Sequence, residues 1–138
     1  MERKIDIHKA GGILIRDNKF LISRSKGKNV FFAPGGKLEK GETSEESLRR
    51  ELKEELTIDI ELEDLEPFGT FYALATGQED QYLQMDVFLV HQWEGVIQPN
   101  REIEEIQWID SQMPEGMQLG SIFQHEVLPR LKERGMIS

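Results

Sequence analysis

Apolar positions alternate in some stretches of the chain and recur every four residues in others, and this change of period predicts the elements. Ile5, Ile7 and the run from Ala10 to Ile15 read as a first strand. Gly11 and Gly12 within it are expected to relax or bulge it. Arg16-Asp17-Asn18-Lys19 is a short polar turn, with Asn18 the residue best suited to a turn conformation. Phe20 to Ser23 returns as a second strand. Residues 24–29 form a basic loop, and the apolar run from Val30 to Ala33 stops at Pro34-Gly35-Gly36. Leu48, Leu52 and Leu56 then fall on one helical stripe. Thr43-Ser44-Glu45-Glu46 ahead of them is a capping box, and the β-branched Thr57 and Ile58 mark the helix end. Leu65 to Ala75 reads as a strand with an early Pro-x-Gly irregularity. Thr76 to Asp80 reads as a turn, and Tyr82 to Trp93 as a longer strand. Ile103, Ile106, Trp108 and Ile109 mark a further strand, and Asp110 to Gly120 a loop. A second helix is expected from Ser121 to about Arg134, with Phe123, Val127 and Leu131 on one face. Ser121 and Gln124 would form its capping box, and Pro129 would bend it.

Strands, helix, strands, helix is the order of an α+β chain, an α/β/α layered fold around a mixed, largely antiparallel sheet. Several strand pairs are joined by turns too short for a parallel crossover. Residues 1–138 contain no repeat or linker, so a single domain is expected.

Charge and composition narrow the function. Lys and Arg number 17 against 26 Asp and Glu, a formal charge of −9. A protein of duplex nucleic acid or of a membrane surface normally shows a basic stripe, so neither partner is expected. With no cysteine, disulfides, thiolate metal sites and cysteine nucleophiles are excluded from this chain. No stretch reaches the length of a transmembrane helix, and the start lacks an apolar leader core, so a cytoplasmic location is expected.

The chemistry concentrates between Pro34 and Ile58, which hold seven glutamates. Glu45 and Glu46 need no explanation beyond helix preference and the first-turn dipole. Glu51, Glu54 and Glu55 stand on one side of the helix, where their carboxylates repel one another, and Arg50 offsets part of that repulsion. Clustered oxygen ligands of this kind suit a hard divalent cation such as Mg²⁺ or Mn²⁺. The Pro34-Gly35-Gly36 turn permits an unusual backbone path, and a freed carbonyl, Gly35 above all, can add a neutral ligand. Glu42, just before the cap, can reach the same cluster or brace Arg50.

The run Gly36, five residues, Glu42, seven residues, then Arg50-Glu51-Leu52-Lys53-Glu54-Glu55 and Thr57-Ile58 resembles the signature of the Nudix hydrolase superfamily. It departs only at Thr57, where that signature has a helix-ending glycine. In its compact length the chain resembles MutT-like members. The resemblance implies Mg²⁺-dependent hydrolysis of a nucleoside diphosphate linked to a further group, with Mn²⁺ as a substitute ion. It implies metal binding by Glu51, Glu54 and Glu55 with the Gly35 carbonyl, orientation of those carboxylates by Arg50, and support from Glu42. A carboxylate then activates water for in-line attack on phosphorus, and Glu54 is the box residue favoured for it. A glutamate beyond the box can share that work. Glu105 is taken first, with Glu102 as its alternative, because the two face opposite ways in an extended segment. The implied partner is a small-molecule nucleotide, foremost a nucleoside triphosphate or a modified one such as 8-oxo-dGTP. ADP-ribose or a nucleoside diphosphate sugar is the alternative enzyme substrate, and a non-catalytic nucleotide-binding domain the alternative class. A monomer and a homodimer both remain open.

The remaining candidates are supporting ones. Arg24, Lys26 and Lys28 are placed to meet phosphate. Phe32 and Phe71 are the substrate-binding aromatics, with Tyr72, Phe123 and His125 as further candidates to line a base. His8, His91 and His125 form no metal-binding spacing. Asp86, inside an apolar strand, needs a partner, either in the site or in a nearby arginine.

Overall fold

A computed structural model describes residues 4–75 and 81–138. The turn expected over Thr76 to Asp80 lies outside the described residues. The main sheet joins β5 (Gly35–Lys37), β1 (Ile7–Ile13), β7 (Gln81–Val90) and β6 (Leu65–Ala75), in that order. β1 is antiparallel to β5 and parallel to β7, and β7 is antiparallel to β6. The sheet is therefore mixed, and the chain has the expected α+β class. β6 bulges between Pro67 and Gly69, at the expected Pro-x-Gly irregularity. A second sheet pairs β2 (Ile15–Arg16), β3 (Lys19–Ser25) and β8 (Ile103–Ile109). The β2–β3 turn places both Asp17 and Asn18 at positive φ, 52° and 60°.

The glycine pair in β1 does not bulge. Pairing with β7 continues unbroken from Ile7↔Leu83 to Ile13↔Leu89. The two glycines instead let a helix approach from each side. A Cβ on Gly11 would stand 3.2 Å from the Phe123 ring, and one on Gly12 would stand 3.2 Å from Leu48 and from Val90. Both distances are tighter than ordinary van der Waals contact.

On one face lies α1 (Ser44–Leu56). Its box is closed as the sequence requires: the Glu46 amide donates to Thr43 Oγ1 at 3.1 Å, and the Thr43 amide donates to Glu46 Oε1 at 3.0 Å. Leu48, Leu52 and Leu56 are fully buried against Ala10, Leu14, Phe88 and Val90. Each such leucine contributes roughly 2 kcal/mol. The other face carries the C-terminal helix, with Phe123, Val127 and Leu131 packed on Ile13, Met85, Val87 and Leu89.

That helix corrects two expectations. Its capping box does not form, because Ser121 already lies inside the helix and the Gln124 amide donates to the Gly120 carbonyl at 2.9 Å. The disturbance from Pro129 appears upstream, as a π-helical turn over Phe123–Val127 in which the Leu128 amide reaches back to the Phe123 carbonyl. A proline ring clashes with the carbonyl four residues earlier, and a widened turn relieves that clash. The regular segment α2 (Leu128–Glu133) follows. Two boundaries also move. β7 ends at Val90, before Trp93, and the expected 110–120 loop contains a short strand, β9 (Gln118–Leu119), parallel to β4 (Val30–Phe31). Among the described residues no helix is long and apolar enough to cross a membrane.

Candidate functional site

The site is built where β5 meets α1. Gly35 has φ +143°, and a side chain there would collide with the Ala10 carbonyl oxygen. Only glycine fits so close to β1. A Cβ on Gly36 would come 2.9 Å from the Glu51 carboxylate. The strand thus passes directly under the acidic side of α1, and the Gly35 amide donates to Glu55 Oε1 at 3.0 Å.

Glu55 is 7 % exposed. Burial pushes its carboxyl up to about 8. The Gly35 hydrogen bond pulls the other way, and the nearby Glu51, Glu102 and Glu54 raise it further. Glu51 is also raised, chiefly by burial and despite its bond to Arg50. Arg50 is the local counter-charge. Its Nε and Nη2 donate to the two oxygens of Glu42 at 2.8 and 3.0 Å, a bidentate pair. Its Nη1 donates to Glu51 at 2.9 Å and to Glu54 at 3.3 Å, and Nη2 also reaches the Lys37 carbonyl at 3.2 Å. The Arg50 bonds, with the Glu39 amide, hold Glu42 down at about 2. Among the described residues, as placed, no three acidic or histidine groups converge on a single ion-sized point.

The far end of α1 is tied to the next acidic residue. The Asn100 side chain donates to the Glu54 carbonyl at 3.0 Å, and its amide donates to the Glu55 carbonyl at 2.9 Å. Gln98 closes the Leu56 carbonyl at 3.0 Å. Helix ends leave such carbonyls without partners, so this loop completes the helix. It then turns through Arg101, at φ 53°, and presents Glu102. Thr57 caps the same end in the left-handed conformation, φ 60°, with its hydroxyl donating to the Val96 carbonyl at 3.0 Å. The helix therefore terminates normally without the signature glycine.

These parts open on a cleft of about 590 Å³ whose walls include Lys9, Gly35, Gly36, Lys37, Glu51, Glu55 and Glu102. Phe32, Met85, Ile103 and Phe123 give it apolar surface. Of the residues singled out from sequence, Gly35, Glu51, Glu55, Phe32, Lys28, Phe123 and Glu102 reach it. Arg50 and Glu54 are not among its walls; Arg50 stands behind, bonded to both Glu51 and Glu54.

Four expectations are revised by placement. Glu105 is turned away from the cleft: its carboxylate accepts from Arg24 Nη2 at 3.0 Å and from Gln107, and these bonds, Gln107 first, hold it below the usual carboxylate range. Arg24 is spent on Glu105, on the Lys28 carbonyl at 2.9 Å, and on the face of Phe31. Phe71 packs against Phe68, with the Arg130 guanidinium 5.1 Å over its ring. Asp86 meets neither the cleft nor an arginine. It accepts from Ser44, from Thr70 at 3.1 Å and from Gln84 at 3.0 Å, and it pairs with His8 Nε2 at 2.6 Å. Burial works to raise its pKa, but the bonds from Ser44, Gln84 and His8 outweigh that and leave it lowered. His125 lines a separate cavity beside Ser111, Met113 and Lys132.

Sequence reasoning missed Lys9 and Lys37. Strand alternation held the signal for Lys9, since it shares a face of β1 with Gly11 and Ile13. Its ammonium lies 6.0 Å from the centre of the Phe32 ring. Burial, then Lys37, lowers its pKa, and Glu51 and Glu55 oppose the shift.

Comparison with known proteins agrees with this architecture. The NUDIX domain family model matches residues 6–131. An 8-oxo-dGTP diphosphatase of Proteus vulgaris is 32% identical over 100 residues, 69% of this chain and 85% of that protein. The 8-oxo-dGTP diphosphatase of Escherichia coli (strain K12) is 32% identical over 91 residues, 62% of this chain and 67% of its own length. In fold, the crystal structure of a MutT NUDIX hydrolase from Burkholderia pseudomallei superposes with a TM-score of 0.73 at 20% identity, covering 92% of this chain and 95% of the other. With the glycine-bent strand, the carboxylate helix and the cleft between them all in place, the chain belongs to the Nudix family of pyrophosphohydrolases.

Proposed function

We propose that the chain hydrolyses the pyrophosphate linkage of a nucleoside triphosphate, with a modified purine nucleotide such as 8-oxo-dGTP as the leading substrate and Mg²⁺ as the ion, Mn²⁺ substituting. The observation that carries this reading is Glu55: a buried carboxylate held by one amide, facing Glu51 and Glu102 across the walls of one cleft. Such a group is costly unless a cation joins it. The donors are all oxygen, the set preferred by a hard divalent ion. Glu51 and Glu55 would hold it first because they line the cleft, with Glu54 and the Gly35 carbonyl completing the set. When bound, divalent ions neutralise the phosphoryl oxygens and lower the pKa of water.

The chain's own residues then have separable tasks. Arg50 fixes Glu51 and Glu54 through one nitrogen and braces itself on Glu42. Lys37, Lys28 and Lys9 bring positive charge to a cleft that is otherwise acidic. Glu102 accepts the proton of the attacking water, in preference to Glu105, whose oxygens are held by Arg24 and Gln107. Attack in line with the leaving phosphate needs no covalent intermediate on the protein.

A panel of dNTPs, 8-oxo-dGTP, ADP-ribose and nucleoside diphosphate sugars tests the reading through phosphate or pyrophosphate release, with Mg²⁺ or with chelator. Turnover of nucleoside triphosphates that needs the ion and falls at least about a hundredfold in Glu55→Gln is expected. Turnover confined to ADP-ribose or to nucleotide sugars would replace the substrate assignment.

A further inference from the structure

Lys9 is an unusual residue for its position. It sits in the interior of a core strand, half-buried, directly opposite Lys37 in the β1–β5 register. Like charges facing each other across strands destabilise a sheet, and so does partial burial of an ammonium. An apolar side chain would pack better there. A position that costs stability is a candidate for contact with a ligand.

Its surroundings indicate which part of a nucleotide it meets. Beside the main cleft lies a small cavity of about 60 Å³ whose walls include Lys9, Phe32, Met85 and Phe123. All four belong to both. Among the described residues lining the smaller cavity, Lys9 alone is charged, and none is acidic. Phe32 is 45 % exposed, an aromatic face open to stacking. The carboxylates line the main cleft and not this extension, so the pyrophosphate belongs to the former and the nucleobase to the latter. Base-binding pockets combine apolar and aromatic walls with a few placed polar groups.

We propose that Lys9 is a specificity-determining residue that donates to the acceptor edge of a base stacked on Phe32. An ammonium only donates. It therefore favours bases that place an oxo acceptor beside it, as guanine does with O6 and 8-oxoguanine with its oxo groups. It disfavours the amino edges of adenine and cytosine. The assignment rests on the nucleoside triphosphate reading above and sharpens it to oxo-edged bases.

The test compares wild type with Lys9→Met and Lys9→Arg, using kcat/KM for dGTP and 8-oxo-dGTP against dATP and dCTP at saturating Mg²⁺. In Lys9→Met the oxo-over-amino ratio should fall at least about tenfold, the scale of one lost hydrogen bond to a charged group. Lys9→Arg keeps donors and should restore part of the ratio. The melting temperature of the Lys9→Met protein should equal or exceed wild type, which also verifies its fold. An equal loss for all four nucleotides would make Lys9 a phosphate ligand and overturn the assignment while leaving the substrate class intact. An unchanged ratio would overturn it as well. Failure of wild type to turn over any of the four would remove the nucleoside triphosphate reading itself, and the Lys9 assignment with it.

Discussion

Replacing Glu55 with glutamine changes how stability depends on pH, and the size of that change follows from the site. An ordinary glutamate titrates near 4.5, and burial raises Glu55 in the folded chain to about 8. A raised carboxyl favours folding while it is protonated. Its contribution is complete below the unfolded value and is lost as pH rises through the folded one. Each tenfold difference in proton affinity between folded and unfolded chain corresponds to about 1.4 kcal/mol, so wild type should lose about 4 kcal/mol from this group between about pH 5 and about pH 8.5. Glutamine cannot ionise. Its amide can still accept from Gly35, but a buried NH₂ lacking partners costs about 1–3 kcal/mol at every pH. The variant should therefore be less stable than wild type near pH 5 and more stable near pH 8.5, and the two curves should cross. Urea denaturation in chelator across that range measures this, since groups remote from Glu55 titrate alike in both proteins. Parallel curves would refute the buried, cation-seeking carboxylate. In excess Mg²⁺ the wild-type curve should rise at high pH, and the variant's should rise less.

Other outcomes follow from the same geometry. Glu102→Gln should cut kcat by at least about a hundredfold, the lower range for a proton-transferring carboxylate, while Glu105→Gln should stay within about threefold; the reverse order would restore Glu105 as the site residue. Gly35→Ala places a methyl against the Ala10 carbonyl at a strained φ and should cost more than about 2 kcal/mol in denaturation, with loss of turnover. At Thr57, glycine removes the left-handed strain but also the bond to Val96, so stability should change by less than about 1 kcal/mol. Valine keeps the strain and loses the bond, and should be the less stable of the two by about 1–2 kcal/mol.

The strength of each sequence signal reflects how local its cause is. The cap at Thr43, the Leu48/Leu52/Leu56 stripe and the Pro67–Gly69 bulge depend on residues within one or two turns, and all three are present. The parallel pairing of β1 with β7 joins residues 76 apart, such as Ile7 and Leu83, and no local pattern encodes it. The choice between Glu102 and Glu105 is equally hidden. Alternation places them on opposite faces, but only the long-range pairing of β3 with β8 shows that the regular register sets Glu105 opposite Arg24, while Glu102 lies beyond the shift that follows Arg24. Phe71 reads as a binding residue because aromatic character does not reveal which face of β6 it occupies, and that face is packed. Lys9 escapes notice for the opposite reason: a single charge in an apolar strand reads as noise until its neighbour across the strand is known to be Lys37.

Paramagnetic broadening by Mn²⁺ is the most direct measure of the cation site. Added in small steps to isotope-labelled protein, the ion should first erase the amide signals of Gly35, Gly36, Glu51, Glu55 and Glu102, and Glu55→Gln should raise the concentration needed at least about tenfold. Broadening spread evenly over the acidic surface, or unchanged in the variant, would contradict a divalent ion held in this cleft.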